Sequence, residues 1–572
     1  MPHPQRANRE PHQESNDYVG FVLAPKEQPI PGPMVKRFRL FAWLVFIVLL
    51  AGALRFPGLA ERPMHCDEAI NADKSGTLLE QGSYQYDPHG FHGPTLNYLT
   101  LIPAWIQGAA RYVDMNEVTL RSVPAVFGVL LAAAAWLLGP VVGFKSAAAT
   151  GILAALSPAM VYYSRYYIHE SLFIFFSFGL LIGLCRYWEN PSARWAIAAG
   201  ISAGLMVATK ETAIIAFASI AFACVFTRAY DRWHGQTSAG LKPESRPLFK
   251  ILGIASGLTV SVLLLSSFFS HPRGVVDALL AYRNYFAMAG SDPLHIHPWH
   301  YYLGQISFFR DGAGPIWTEG LILLLAMVGF GAGMCRNTIE GANGRIVRFL
   351  GFYTLIMTGI YSAVPYKTPW CAMGFLHGMI LLAGIGGIQV LQWIQRARIR
   401  LPVMVILAAA LVHLGWEGWA AAFPYRSDPR NPYVYAHTGE DVFLIAGRVE
   451  SLARAHANRL TMPVQIFTKE NLWPLPWYLR GLSGVRWSLA VPESVPSAPL
   501  ILITPDMEPA LARKLYELPP PGARELYMNI FDRPVWLRPG VEVRGYAAKT
   551  LWDEFRRQEA AAASQTGPEL RK

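Results

Sequence analysis

The side chains best suited to chemistry lie in polar islands between apolar stretches. The first is ERPMHCDEAI (61–70), where Asp67 and Glu68 stand side by side. A carboxylate just outside an apolar segment can serve as a general base or a metal ligand, or be a solvated loop acid. YDPHGFHGPTLNY (86–98) follows with His89 and His92. Together with His65 these match no standard zinc spacing. SPAMVYYSRYYIHES (157–171) crowds Ser164, Arg165, His169 and Glu170 onto one boundary. Arg165 suits a phosphate grip or snorkelling to the interface. Glu170 opens an apolar run, where a carboxylate either faces a polar cavity or caps a helix. Lys210 and Glu211 share a turn too brief for a loop, so they pair with each other or Lys210 joins a phosphate site. The loop 270–316 carries Arg283, His295, His297 and His300. SAVPYKTPW (362–370) brings Lys367, a second phosphate candidate, with Tyr366 and Trp370 as interface aromatics or sugar contacts.

These islands need a membrane scaffold. The 572 residues are 52% hydrophobic and 16% charged, against about 25% charged in soluble proteins. That excludes a soluble enzyme and a largely disordered chain. A formal charge of +11 fits a nucleic-acid partner or basic cytoplasmic loops. Its distribution decides, because Arg228–Lys250, Arg336–Arg348 and Arg396–Arg400 form three basic loops between apolar runs. Residues 421–572 hold 19 basic and 16 acidic residues, so most of the excess belongs to the membrane part and no nucleic-acid partner is expected.

Apolar runs fall at about 40–57, 94–110, 122–143, 146–163, 170–186, 195–209, 212–227, 250–269, 317–335, 346–364, 371–391 and 401–420. If all span, the basic loops fall outside. The run 94–110 is short and broken by Pro103, so it reads as an interfacial or re-entrant helix. About eleven transmembrane helices remain, with the N-terminus cytoplasmic and the C-terminus outside. Residues 1–36 read as a disordered cytoplasmic tail, 37–420 as the transmembrane domain with a long first outer loop 58–121, 421–558 as an extracytoplasmic α/β domain, and 559–572 as a tail. Within 421–558, EDVFLIAGRVESLARAHA (440–457) reads as a helix, and 463–468, 485–491 and 499–504 as strands.

One membrane face thus gathers cations for a phosphate, a carboxylate pair and aromatics for a sugar. In their order along the chain, Asp67-Glu68, HGPTLNY (92–98), RSVPAVFGVLL (121–131), LSPAMVYYSRYYIHES (156–171) and ATKETA (208–213) resemble the GT-C glycosyltransferases, specifically relatives of the dolichyl-phosphate-mannose–protein mannosyltransferases. The set DE, HGP and PYKTPW resembles a prokaryotic subfamily of flippase-activity-associated proteins. The resemblance implies a GT-C fold, a polyprenyl-phosphate-sugar donor, a glycan, lipid or protein acceptor, and inverting transfer at the outer face of a prokaryotic inner membrane. It implies Asp67 as general base supported by Glu68, with Arg165, Lys210 and Lys367 around the phosphate and His92, His169, Glu170 and Tyr366 as further substrate contacts. No cofactor is required by it. A divalent metal at Asp67 and Glu68 is left open, as some relatives use one there. The alternative is a non-catalytic flippase-associated or transport protein that binds lipid-linked sugars.

Overall fold

In hydrocarbon every backbone N–H and C=O must be satisfied within its own segment, so long apolar runs become helices. A computed structural model describes residues 33–90, 92–235, 247–288, 295–335 and 341–565. Helix α1 is Pro33–Arg55, so helix begins inside the segment expected as a tail; residues 1–32 lie outside the described residues. The loop 58–121 folds into α2 (Cys66–Gln81) and α3 (Thr95–Gln107). Then come α4 (Glu117–Ala134), α5 (Gly139–Val142), α6 (Phe144–Leu156), α7 (Pro158–Tyr163), α8 (Glu170–Glu189), α9 (Ala193–Val207), α10 (Ala213–Trp233) and α11 (Pro247–Leu265). Helices α12 (Gly274–Met288) and α13 (Tyr301–Ser307) precede α14 (Gly320–Met334), α15 (Gly344–Ala363), α16 (Met373–Trp393) and α17 (Ala397–Ala422).

Among the described residues, eight helical segments are long and apolar enough to cross a membrane. Three shorter apolar helices, α6, α9 and α14, add to them. The chain is therefore a multi-pass membrane protein. The run expected to form one span over 146–163 is broken at Ser157, whose hydroxyl caps α7 by accepting from the Met160 N–H. Helix α3 has 13 residues with Pro103 inside it, about 20 Å of helix against a hydrocarbon core of about 30 Å.

The C-terminal part builds a sheet. Helix α18 (Asp441–Ala455) leads to β1 (Val464–Phe467), α19 (Leu475–Leu479), β2 (Val485–Ser488), β3 (Leu500–Ile503), α20 (Glu508–Ala512), β4 (Tyr527–Asn529), β5 (Val535–Arg538), β6 (Val541–Ala548) and α21 (Lys549–Gln565). Strand order is β2-β1-β3-β6-β4, with β5 also on β6. The β1 pairings with β2 and β3 are parallel, and those made by β6 are antiparallel. Strands β1 and β3 are buried along their whole length, which explains the unbroken apolar sequence of β3; the one polar residue of β1, Gln465, bonds to the Pro496 carbonyl and the Ala498 N–H. Helix α21 carries on to Gln565, past the expected start of the tail at 559; residues 566–572 lie outside the described residues.

Helices α9 and α11 cross at backbone contact. A Cβ on Gly200 would lie 1.9 Å from the Gly253 carbonyl oxygen, and one on Gly204 would lie 2.4 Å from that of Gly257. Small residues let helices approach this closely where water supplies no driving force. By contrast Gly359 in α15 faces open space. Gly200→Val should therefore lower the thermal unfolding midpoint in detergent by the equivalent of about 1–3 kcal/mol. Gly359→Ala should leave it unchanged or raise it slightly. Equal effects at the two positions would contradict the packing.

Candidate functional site

The site starts at the entry to α2. His65 is its N-cap: Nδ1 accepts from the Asp67 N–H at 3.1 Å, and the Glu68 carboxylate accepts from the His65 N–H at 2.9 Å. Because Nδ1 accepts, Nε2 carries the proton and donates to the Tyr435 carbonyl at 3.2 Å. The cap sends the two carboxylates to different places. Glu68 is fully buried and Asp67 is half-exposed.

Glu68 is saturated with donors. Arg121 from α4 reaches Oε1 through Nε and Oε2 through Nη2, both at 2.8 Å. Arg62 Nη2 and the Tyr167 N–H add bonds to Oε1 at 3.0 and 2.8 Å. Burial alone would push the carboxyl up, but the charges of Arg121 and Arg62 hold it far below the usual range. Arg121 also donates to the carbonyls of Leu59, Arg62 and Pro63. One carboxylate thus ties together α2, α4, the 59–64 segment and the turn before α8. With its lone pairs so occupied, the Glu68 carboxylate does not fit a divalent ion shared with Asp67. Among the described residues no group of three or more His, Cys, Asp or Glu is arranged to hold a metal ion.

Asp67 opens into a cavity of about 540 Å³, walled also by Lys74, His169, Glu170, Lys210, Tyr366 and Trp370. Glu170, in the first turn of α8, and Lys210 form a buried ion pair across it. Glu211 accepts from the Tyr86 hydroxyl at 2.7 Å and from the His92 N–H at 2.9 Å, and it pairs with His92 Nδ1 at 2.8 Å. Against its burial, His92 and Tyr86 hold this carboxyl well below the ordinary range. These bonds also hold His92 at φ +75°, an uncommon conformation for a residue other than glycine. The next residue, Gly93, lies so close to the 208–209 backbone that a Cβ would come within 2.0 Å of the Ala208 oxygen. HGP and ATKETA are therefore two halves of one contact.

His169 is buried, and its Nε2 lies 3.2 Å from the Gly93 carbonyl. Only a protonated nitrogen can make that bond, which leaves Nδ1 as an acceptor with no partner among the described residues. Burial, then the neighbouring His92 and Lys210, push its pKa well down, so the ring is a neutral acceptor suited to a hydroxyl.

Two expected phosphate ligands lie elsewhere. Arg165 donates to the carbonyls of Arg55, Pro57 and Gly58 at 2.9, 2.6 and 3.1 Å and stacks on Phe423. The last carbonyls of a helix have no partner within it, and Arg165 satisfies those at the end of α1. Lys367 turns inward to the Val364 carbonyl and is 1% exposed. Of the proposed triad only Lys210 faces the cavity. Lys74, overlooked in the sequence, also faces it and donates to the Gly90 carbonyl at 2.7 Å. Arg121 was legible in principle, since a lone cation inside an apolar run implies a buried carboxylate partner. Of the loop 270–316, His295 reaches the Tyr435 hydroxyl at 2.7 Å and packs at a tilt against Tyr366, with ring centroids 4.8 Å apart. Residues 289–294 of that loop lie outside the described residues.

The bundle of apolar helices, the polar cavity at one end of it and the C-terminal sheet domain form a fold that known proteins share. The model of the dolichyl-phosphate-mannose-protein mannosyltransferase family matches residues 99–240, the stretch holding Arg121, His169, Glu170 and Lys210. Among solved structures, ArnT from Cupriavidus metallidurans in the apo state aligns with TM-score 0.60 and 15% identity, over 89% of this chain and 98% of that one. The same protein bound to undecaprenyl phosphate aligns with TM-score 0.57 and 14% identity, over 88% and 98%. No curated protein matches the sequence.

The Glu68 clamp makes a checkable demand. Arg121→Met should cost about 3–5 kcal/mol, because it leaves a buried carboxylate short of its main partner. Glu68→Gln in the same background should recover part of that loss. Since the folded Glu68 carboxyl lies below its unfolded value, its stabilisation is full above about pH 4.5 and fades as pH falls towards the folded value. Thermal unfolding of the wild type and of Glu68→Gln should therefore converge on acidification. Parallel pH curves would contradict the clamp.

Proposed function

We propose that the chain is a membrane glycosyltransferase that moves a sugar from a polyprenyl-phosphate donor to an acceptor hydroxyl, with inversion and with Asp67 as general base. The observation that carries this is the position of Asp67. It is the half-exposed member of the pair, fixed by the buried Glu68 and turned into the same cavity as Lys210, His169 and the aromatics. In this reading the acceptor O–H gives its proton to Asp67, its oxygen bonds to the anomeric carbon, and the bond from that carbon to the phosphate oxygen breaks. Polyprenyl phosphate leaves with the bonding pair, and Lys210 and Lys74 stabilise the charge that develops. Lys210 exchanges its Glu170 contact for the phosphate. Tyr366 and Trp370 offer apolar faces to the sugar, and His169 Nδ1 accepts from a sugar hydroxyl. No step needs a cofactor or a metal.

Two further observations support the reading. The structural neighbour that binds undecaprenyl phosphate shares the fold over most of both chains. The arginines Arg228, Arg232, Arg345, Arg348, Arg396, Arg398 and Arg400 gather at the helix ends remote from the cavity. In this reading those ends are cytoplasmic, as the positive-inside rule favours, and the cavity and the C-terminal domain face outward from a prokaryotic inner membrane.

Purified full-length protein with radiolabelled polyprenyl-phosphate sugar and a hydroxyl acceptor should show transfer. Asp67→Asn should reduce kcat by roughly 10²–10⁴-fold while donor binding persists. Unchanged turnover in Asp67→Asn would refute the base. A wild type that binds donor but transfers no sugar would favour the non-catalytic carrier instead.

A further inference from the structure

A second cavity, of about 290 Å³, lies at the far end of the bundle, roughly 30 Å from the first along α8. It is walled by Trp188, Thr227, Arg228, Arg345, Ile346 and Phe349. The end of α8, the end of α10 and the start of α15 meet there, so nothing in it belongs to the site described above.

Three features of this pocket select an anion. Arg228 stands exposed at its rim and makes no ion pair among the described residues. Arg345 lines it too, with its Nε 3.1 Å from Asp231 Oδ2 as an ion pair, and Asp231 Oδ1 accepts from Arg348 at 2.9 Å. Asp231 is thus shared by two arginines and Arg228 is left over, with Glu189 exposed nearby at the end of α8. The 20-residue helix α15 begins here, and its N-terminus adds positive potential.

The fourth feature is independent of charge. Hydroxyls in these helices bond back to the carbonyl one turn earlier: Ser177 to Phe173, Ser219 to Ile215 and Thr354 to Leu350, at 2.7–2.8 Å. Thr227 is 3% exposed and lines the pocket, yet its hydroxyl has no partner among the described residues. A buried hydroxyl without a partner is costly. Its proton is available to an acceptor in the pocket. Trp188, Ile346 and Phe349 make the remaining wall apolar.

We propose that this pocket binds a phosphate group, gripped by Arg228, Arg345 and the Thr227 hydroxyl, with an apolar moiety against Trp188 and Phe349. Phosphate of this kind comes from an anionic lipid headgroup or from solution. The site is distinct from the transfer reaction and does not rest on the reading of the first cavity.

Native mass spectrometry of the full-length protein in detergent tests it, with phosphatidylglycerol and uncharged diacylglycerol as probes. The wild type should retain phosphatidylglycerol and not diacylglycerol. Arg228→Ala and Thr227→Val should each weaken that retention roughly tenfold. Arg228 is exposed and Thr227→Val preserves shape, so both variants should keep the wild-type unfolding midpoint. Arg228→Gln replaces the alanine variant if it does not. Displacement of the lipid by millimolar inorganic phosphate would support the site with soluble phosphate as its occupant. Resistance to displacement would support it with the lipid as occupant. Equal retention of both lipids, or undiminished phosphatidylglycerol retention in either variant, would overturn the proposal.

Discussion

The contact between the Glu68 carboxylate and its five donors is the constraint on which the rest of the site depends. A buried carboxylate is tolerable only when its oxygens are fully matched. Here the matching groups come from four places along the chain: the His65 N–H, the Arg62 and Arg121 guanidinium groups and the Tyr167 N–H. Meeting that demand fixes the first turn of α2 against α4 and the 164–169 turn. Those are the segments that present Asp67 and His169 to the cavity. A charge that does no chemistry itself thereby sets the geometry of the one beside it.

The C-terminal part reinforces the same corner. The Tyr478 hydroxyl accepts from the Met64 N–H at 2.8 Å, Trp477 donates to Glu117 at 2.8 Å, and Arg480 donates to the Met115 carbonyl at 2.7 Å. His65 lies parallel to His437 with ring centroids 5.9 Å apart. The sheet domain is therefore built onto the entry to α2 and the start of α4, and the segment between α17 and α18 supplies Tyr435 and His437 to the wall behind Asp67. This gives the domain a physical role in holding the corner that carries Asp67.

Much of the fold was legible because its determinants are local. Apolar runs of bilayer length, Pro103 in a short run and the strand patterns at 464–467, 485–488 and 500–503 each declare their structure within a few residues. The site was legible in part. Asp67, His92, His169, Glu170, Lys210 and Tyr366 do meet at one cavity, because each lies at an element boundary on the same face. Arg165 and Lys367 lie at the same boundaries but turn to backbone carbonyls. Position along the chain gives a side chain's depth in the membrane and not which unsatisfied group it will find. For Lys210 and Glu211 the sequence left two readings open for a similar reason. The turn before α10 sends Lys210 and Glu211 to different partners, and only the three-dimensional approach of His92 and Tyr86 shows where the second one goes.

The central claim is that the cavity beside Asp67 receives the phosphate of a lipid-linked substrate. A structure of the full chain in lipid nanodiscs with a polyprenyl phosphate tests it most directly. Phosphate density is expected within hydrogen-bonding reach of Lys210 Nζ, with the Asp67 carboxylate open to the opposite side. Density for the polyprenyl phosphate beside Arg165, with the Asp67 cavity empty, would contradict it.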